Sequence, residues 1–210
     1  MNQHFNLELY LVTDRTWLNG AALEDQVERA ILGGATLVQL REKSMSTGEF
    51  IAAAVQIKRV TDQYGVPLII NDRLDIALAV DAAGLHVGQG DMPAATARRL
   101  LGPAKILGVS VATPAEAVRA EQDGADYLGA GAVFPTGTKL DADSVDYAAL
   151  RQITGAVKIP VVAIGGINET NALQLKGSGI KGIAVISALL SQSDIKRAAE
   201  TMKRLAGGII

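Results

Sequence analysis

Short apolar runs rich in β-branched residues recur along the chain, each closing on a glycine or a polar group. They fall at Leu9–Asp14, Thr36–Glu42, Pro67–Asp72, Gly84–Gly88, Lys105–Val111, Tyr127–Val133, Pro160–Gly166 and Gly182–Ser187. Between them the apolar period lengthens to that of a helix with one buried stripe. These segments are Ala22–Leu32, Thr47–Gln63, Ala94–Leu101, Pro114–Asp123, Asp146–Thr154 and Glu169–Gly177, with Ser193–Leu205 closing the series. A shorter helix is expected near Leu74–Ala82. Regular strand–helix alternation predicts a parallel sheet with right-handed crossovers.

Two architectures satisfy that pattern, a closed eight-stranded barrel and a doubly wound open sheet. The first strand ends Val12-Thr13-Asp14-Arg15, without the glycine-rich turn that open dinucleotide-binding sheets carry there. No G-x-x-x-x-G-K-[ST] phosphate loop occurs either. Eight units in 210 residues, with no linker or second zone of composition, predict a single (β/α)8 barrel over residues 1–210.

Composition narrows the function. Hydrophobic residues make up 49% but aromatics only 4%, so the core must be aliphatic. A net charge of −2 provides no general attraction for nucleic acid or anionic membrane, and neither is expected as a partner. Absence of cysteine excludes disulfides and thiolate metal sites. Residues 1–8 lack the basic-then-apolar pattern of a secretory signal, and no apolar run approaches the roughly 20 residues needed to span a bilayer. A cytoplasmic location is the expectation.

Chemistry in such a barrel belongs at the C-terminal strand ends. In the second strand, Gln39, Arg41 and Lys43 share one face while Val38, Leu40 and Glu42 share the other. If the apolar pair packs on helices, the cations point into the mouth, where an anionic ligand would satisfy them. Salt bridges at the rim are the competing reading. Asp72 and Asp91 follow the third and fourth strands; their carboxylates would either converge on one Mg²⁺ or cap helices. Ser110 lies at the end of the fifth strand as a hydrogen-bond donor rather than a nucleophile. The chain has two histidines: His4 sits in the N-terminal tail and His86 within the fourth strand, where a structural role is expected. The sixth strand leads into Thr136-Gly137-Thr138-Lys139, which reads either as an oxyanion cradle or as a plain polar loop. Gly165-Gly166 and Ser187, after strands seven and eight, occupy the usual phosphate position of such barrels, with Ala188–Ser191 expected to start a short helix. Together these predict two unlike anion sites. One is cationic, metal-assisted and suited to a diphosphate leaving group; the other is neutral and suited to a monophosphate.

The motifs Gln-Leu-Arg-Glu-Lys at 39–43, Ile-Asn-Asp-Arg at 70–73 and His-Val-Gly-Gln-Gly-Asp at 86–91 resemble the thiamine phosphate synthase family. So do Gly-Val-Ser at 108–110, Phe-Pro-Thr-Gly-Thr-Lys at 134–139, Ala-Ile-Gly-Gly-Ile at 163–167 and Val-Ile-Ser at 185–187, and the likeness covers nearly the whole chain. It implies transfer of a 4-amino-2-methylpyrimidin-5-ylmethyl group from its diphosphate to a phosphoethyl thiazole, giving thiamine phosphate and pyrophosphate. By that likeness Gln39, Leu40, Arg41, Glu42, Lys43, Asn71, Ser110 and Lys139 hold the pyrimidine diphosphate. Arg41, Lys43, Ser110 and Lys139 carry the catalysis, and Asp72 and Asp91 bind one Mg²⁺ per active site. Thr136, Gly137, Thr138, Gly166, Ile186 and Ser187 contact the thiazole phosphate. Ala132 departs from the family, which often has proline there. A homo-oligomer, with a dimer favoured, is expected. The segments Ser44–Gly48 and Gly137–Ser144 are candidate lids. The tautomerase branch of the same fold tends to carry a histidine two residues after the strand-five serine, where this chain has Ala112.

Overall fold

The computed structural model describes residues 5–18, 20–136 and 145–210. Eight parallel strands close into a barrel in chain order: β1 Leu9–Val12, β2 Leu37–Leu40, β3 Leu68–Asn71, β4 Gly84–Val87, β5 Ile106–Val111, β6 Tyr127–Ala130, β7 Val161–Ile164 and β8 Gly182–Val185. The expected (β/α)8 barrel is therefore the fold. Closure is made by β1 against β8, with Tyr10 beside Ala184.

Strand periodicity sorts the core into two compartments. Leu9, Leu11, Val38, Leu40, Ile70, Leu85, Leu107 and Leu128 point outward into a layer shared with the helices. Tyr10, Val12, Leu37, Ile69, Ile106, Tyr127 and Val162 point inward and fill the barrel. The outer layer is completed by α1 Leu23–Leu32, α2 Thr47–Gln63, α3 Leu74–Ala79, α4 Ala94–Leu101, α5 Pro114–Gln122, α6 Tyr147–Ala156, α7 Ser187–Leu190 and α8 Ile195–Gly207. Local chemistry starts several of them. Ser46 and Glu49 form a reciprocal capping box on α2, and Thr113, Asp146 and Asp194 accept from backbone N–H groups at the starts of α5, α6 and α8.

Two expectations change. All the observed strands but β5 stop short of the expected ends, because residues such as Arg41 and Asp72 have already turned into the mouth. The helix expected over Glu169–Gly177 is only a 3₁₀ turn at Ala172–Leu175. Asparagine side chains compete for its backbone: Asn171 Oδ1 accepts from Asn168 N–H at 2.8 Å, and Asn168 Oδ1 accepts from Thr170 N–H at 2.9 Å. Among the described residues, no helix is long and apolar enough to cross a membrane.

Candidate active site

A cavity of about 490 Å³ opens at the C-terminal ends of the strands. One wall is charged. Gln39 on β2 and Arg41 and Lys43 in the segment that follows it all line the cavity, as expected. The Arg41 guanidinium lies 3.8 Å from Asp14, a loose pairing that leaves its charge available. Lys43 is exposed and has no carboxylate partner within salt-bridge distance among the described residues.

Asp72 follows β3 with φ +61, a left-handed conformation that aspartate tolerates better than most residues. Its N–H donates to His86 O at 2.8 Å, which extends the strand ladder by one step before the chain turns. Asp91 lies in the turn after β4, where its Oδ2 accepts from Gly88 N–H at 2.8 Å. Neither residue caps a helix, since the N-cap positions of α3 and α4 are Arg73 and Pro93. Instead the two carboxylates meet. Burial, a hydrogen bond with Asp91 and repulsion from its charge push Asp72 up to about 6, against the opposing pull of Lys43 and Arg41. Two hard oxygen donors at the edge of a polar cavity fit Mg²⁺, which keeps several waters and shares substrate oxygens. Among the described residues there is no group of three or more acidic or histidine ligands.

The opposite wall is neutral. Gly165 and Gly166 take positive φ values of 100° and 67°. A side chain at Gly166 would strike the carbonyls of Phe134 and Pro135, so only glycine lets the β6 and β7 loops approach this closely. The Gly166 carbonyl accepts from Asn171 Nδ2 at 2.9 Å, which holds the turn. Thr136, Ile186 and Ser187 line the same side. Gly137, Thr138 and Lys139 lie outside the described residues, as do the 137–144 lid candidate and His4.

The floor is polar and aromatic. His86 is buried, with Nδ1 2.9 Å from Tyr127 Oη and Nε2 2.9 Å from Ser110 Oγ. Tyr10 Oη lies 2.8 Å from Tyr127 Oη and accepts from Gln39 Nε2 at 2.6 Å. Asn71 is buried at the end of β3 beside them.

The side chains of Leu40 and Glu42, both expected among the contacts of the pyrimidine diphosphate, lie away from the cavity. Leu40 is fully buried among the outward-facing apolar residues, and Glu42 pairs with Arg15 at 2.6 Å. Neither lines the cavity. Sequence reasoning passed over Tyr10, Gln89 and Glu116, which do line it. Gln89 Nε2 donates to Ser110 O at 2.7 Å, and Glu116 Oε2 accepts from Ala112 N–H at 2.7 Å. The polar tip of Tyr10 alternating with Val12 is a signal of sorts, but a strand that is apolar on both faces does not reveal which one looks inward.

Known proteins resemble the chain along its length. The family model described as thiamine monophosphate synthase matches residues 9–189. The thiamine-phosphate synthase of Clostridium tetani is 55% identical over 201 residues, covering 96% of each chain. That of Ruminiclostridium cellulolyticum is 54% identical over 202 residues, again covering 96% of each. Among solved structures, the thiamine phosphate pyrophosphorylase of Pyrococcus furiosus superposes with a TM-score of 0.89 at 42% identity, covering 97% of each chain.

Proposed function

The chain belongs to the thiamine monophosphate synthase family, and from that premise we propose which substrates its cavity takes and how it joins them. It is an enzyme, a transferase of thiamine biosynthesis. The proposed donor is 4-amino-5-hydroxymethyl-2-methylpyrimidine diphosphate, and the acceptor is 4-methyl-5-(2-phosphoethyl)thiazole. One observation carries the assignment: a single cavity has cations and a carboxylate pair on one wall and glycine backbone with hydroxyls on the other.

The charged wall suits the diphosphate. Arg41 and Lys43, with Lys139 from the loop after β6, would bind its oxygens and stabilise the charge that grows as the methylene–oxygen bond breaks. Asp72 and Asp91 would hold one Mg²⁺, which when bound supplies further charge neutralisation on the leaving diphosphate. Gln39, Asn71 and Ser110 would orient the pyrimidine diphosphate from the floor. The bonding pair departs with pyrophosphate, and the amino-substituted ring spreads the positive charge left on the methylene carbon. The thiazole nitrogen then supplies its lone pair to that carbon. This nitrogen carries no proton, so the step needs no general base. Gly166, Ile186 and Ser187, with Thr136, Gly137 and Thr138, would anchor the thiazole phosphate. What the protein contributes is alignment of two reactants and a fixed field around the leaving group.

The test mixes both substrates with Mg²⁺ and the purified, folded protein, and measures thiamine phosphate and pyrophosphate. Equimolar appearance of both products is expected. No product from protein with an intact thermal transition would defeat the proposal.

A further inference from the structure

The floor of the cavity carries more polarity than binding alone requires. A run of hydrogen bonds crosses it from Gln39 on β2 through Tyr10 on β1, Tyr127 on β6 and His86 on β4 to Ser110 on β5. The four links measure 2.6, 2.8, 2.9 and 2.9 Å. Tyr10, Tyr127 and His86 are all buried. Placing two hydroxyls and an imidazole in a barrel interior is costly unless every group is satisfied, and neighbours such as Ile69 and Val162 fill the same interior with no such demand. Room is kept for the run. A methyl group on Gly108 would overlap Tyr127 Cζ and His86 Nδ1, and one on Gly129 would press His86 Cε1 at 3.3 Å.

The distances accommodate one ordering of protons that ends on Ser110. Gln39 Nε2 is a donor only, so Tyr10 Oη accepts there; in the ordering that ends on Ser110 its own proton goes to Tyr127. Tyr127 Oη, having accepted, gives its proton to His86 Nδ1. A neutral imidazole accepting at Nδ1 carries its proton on Nε2, which donates to Ser110 Oγ. The Ser110 oxygen thereby accepts from the protein, and its proton is left for a partner in the cavity that Ser110 lines. Burial raises the Tyr10 and Tyr127 hydroxyls well above the ordinary range, so both keep the protons this ordering needs.

We propose that Tyr10, Tyr127 and His86 are positioning residues that hold the Ser110 hydroxyl as a donor toward the pyrimidine diphosphate. The proposal rests on the assignment of that substrate to the Ser110 side of the cavity.

Two measurements test it. The first is a double-mutant cycle of wild type, Tyr127→Phe, Ser110→Ala and the double variant, with kcat and KM read separately for each substrate. Tyr127→Phe is expected to lower kcat/KM for the diphosphate about tenfold, the value of one hydrogen bond. KM for the thiazole phosphate should stay within about twofold. In the Ser110→Ala background Tyr127→Phe should cost nothing further. An equal cost in both backgrounds, or none in the wild type, overturns the proposal. If Tyr127→Phe does not fold, Tyr10→Phe replaces it in the same cycle.

The second measurement is independent of turnover. With His4 replaced by glutamine, ¹⁵N imidazole spectra report His86 alone. Protonation at Nε2 is expected, and a proton on Nδ1 overturns the proposal. A wild-type protein that makes no thiamine phosphate would defeat the functional reading, while the tautomer would still decide the direction of the run.

Discussion

Asp72→Asn should stabilise the metal-free protein at neutral pH while removing its response to magnesium. The folded protein binds the Asp72 proton more tightly than the unfolded chain does, with the carboxyl pushed from 3.8 up to about 6 by burial and by Asp91. Its contribution is therefore fully present below about pH 4 and is lost as pH rises through 6. A shift of about two units corresponds to about 3 kcal/mol for a fully desolvated group. Asp72 is only partly buried, and solvent screening brings this to about 1–2 kcal/mol. For a chain of this length that is about 2–8 °C in Tm. Asparagine is isosteric and accepts the left-handed backbone at φ +61, so the substitution isolates the charge. The assay is thermal unfolding from pH 4.5 to 8, in chelator and in Mg²⁺. In chelator, wild type should lose stability between pH 4.5 and 6.5, and the variant should change less and melt higher at pH 7.5. Adding Mg²⁺ should raise the Tm of wild type alone. A variant less stable than wild type at pH 7.5 in chelator would refute the carboxylate repulsion on which the magnesium assignment leans.

Three further outcomes check other parts of the molecule. Arg98→Ala should cost about 2–4 kcal/mol in unfolding free energy, because Arg98 binds the carbonyls of Gly102, Lys105 and Gly124 and pairs with Asp126; both KM values should be unchanged. Ser187→Ala should raise KM for the thiazole phosphate about tenfold and leave that for the diphosphate unaltered, and steady-state kinetics with each substrate varied would expose the reverse pattern. Lys43→Ala should lower kcat about a hundredfold if, as proposed, this cavity-lining cation faces the leaving diphosphate; wild-type kcat would make Lys43 a rim residue.

Much of the site was legible because a barrel turns local order into position. Strand ends come at regular intervals, and whatever polar residues close a strand arrive at the mouth. Arg41 and Lys43 could be placed there by counting in twos from Gln39, and the same counting puts Leu40 and Glu42 on the far face. The failed helix at Glu169–Gly177 had a visible warning in Asn168 and Asn171, whose side chains bind nearby backbone.

What the sequence determined by itself was therefore the repeat, the barrel and the set of polar residues at its C-terminal face, since each depends on the period of apolar positions within one βα unit. Tertiary structure alone decided which of those residues meet. Asp72 and Asp91 become a pair only when β3 and β4 lie side by side. Tyr10 and Tyr127, 117 residues apart, touch only across the closed barrel. Contacts through a barrel interior are set by strand stagger and closure, and no local pattern in the chain encodes either.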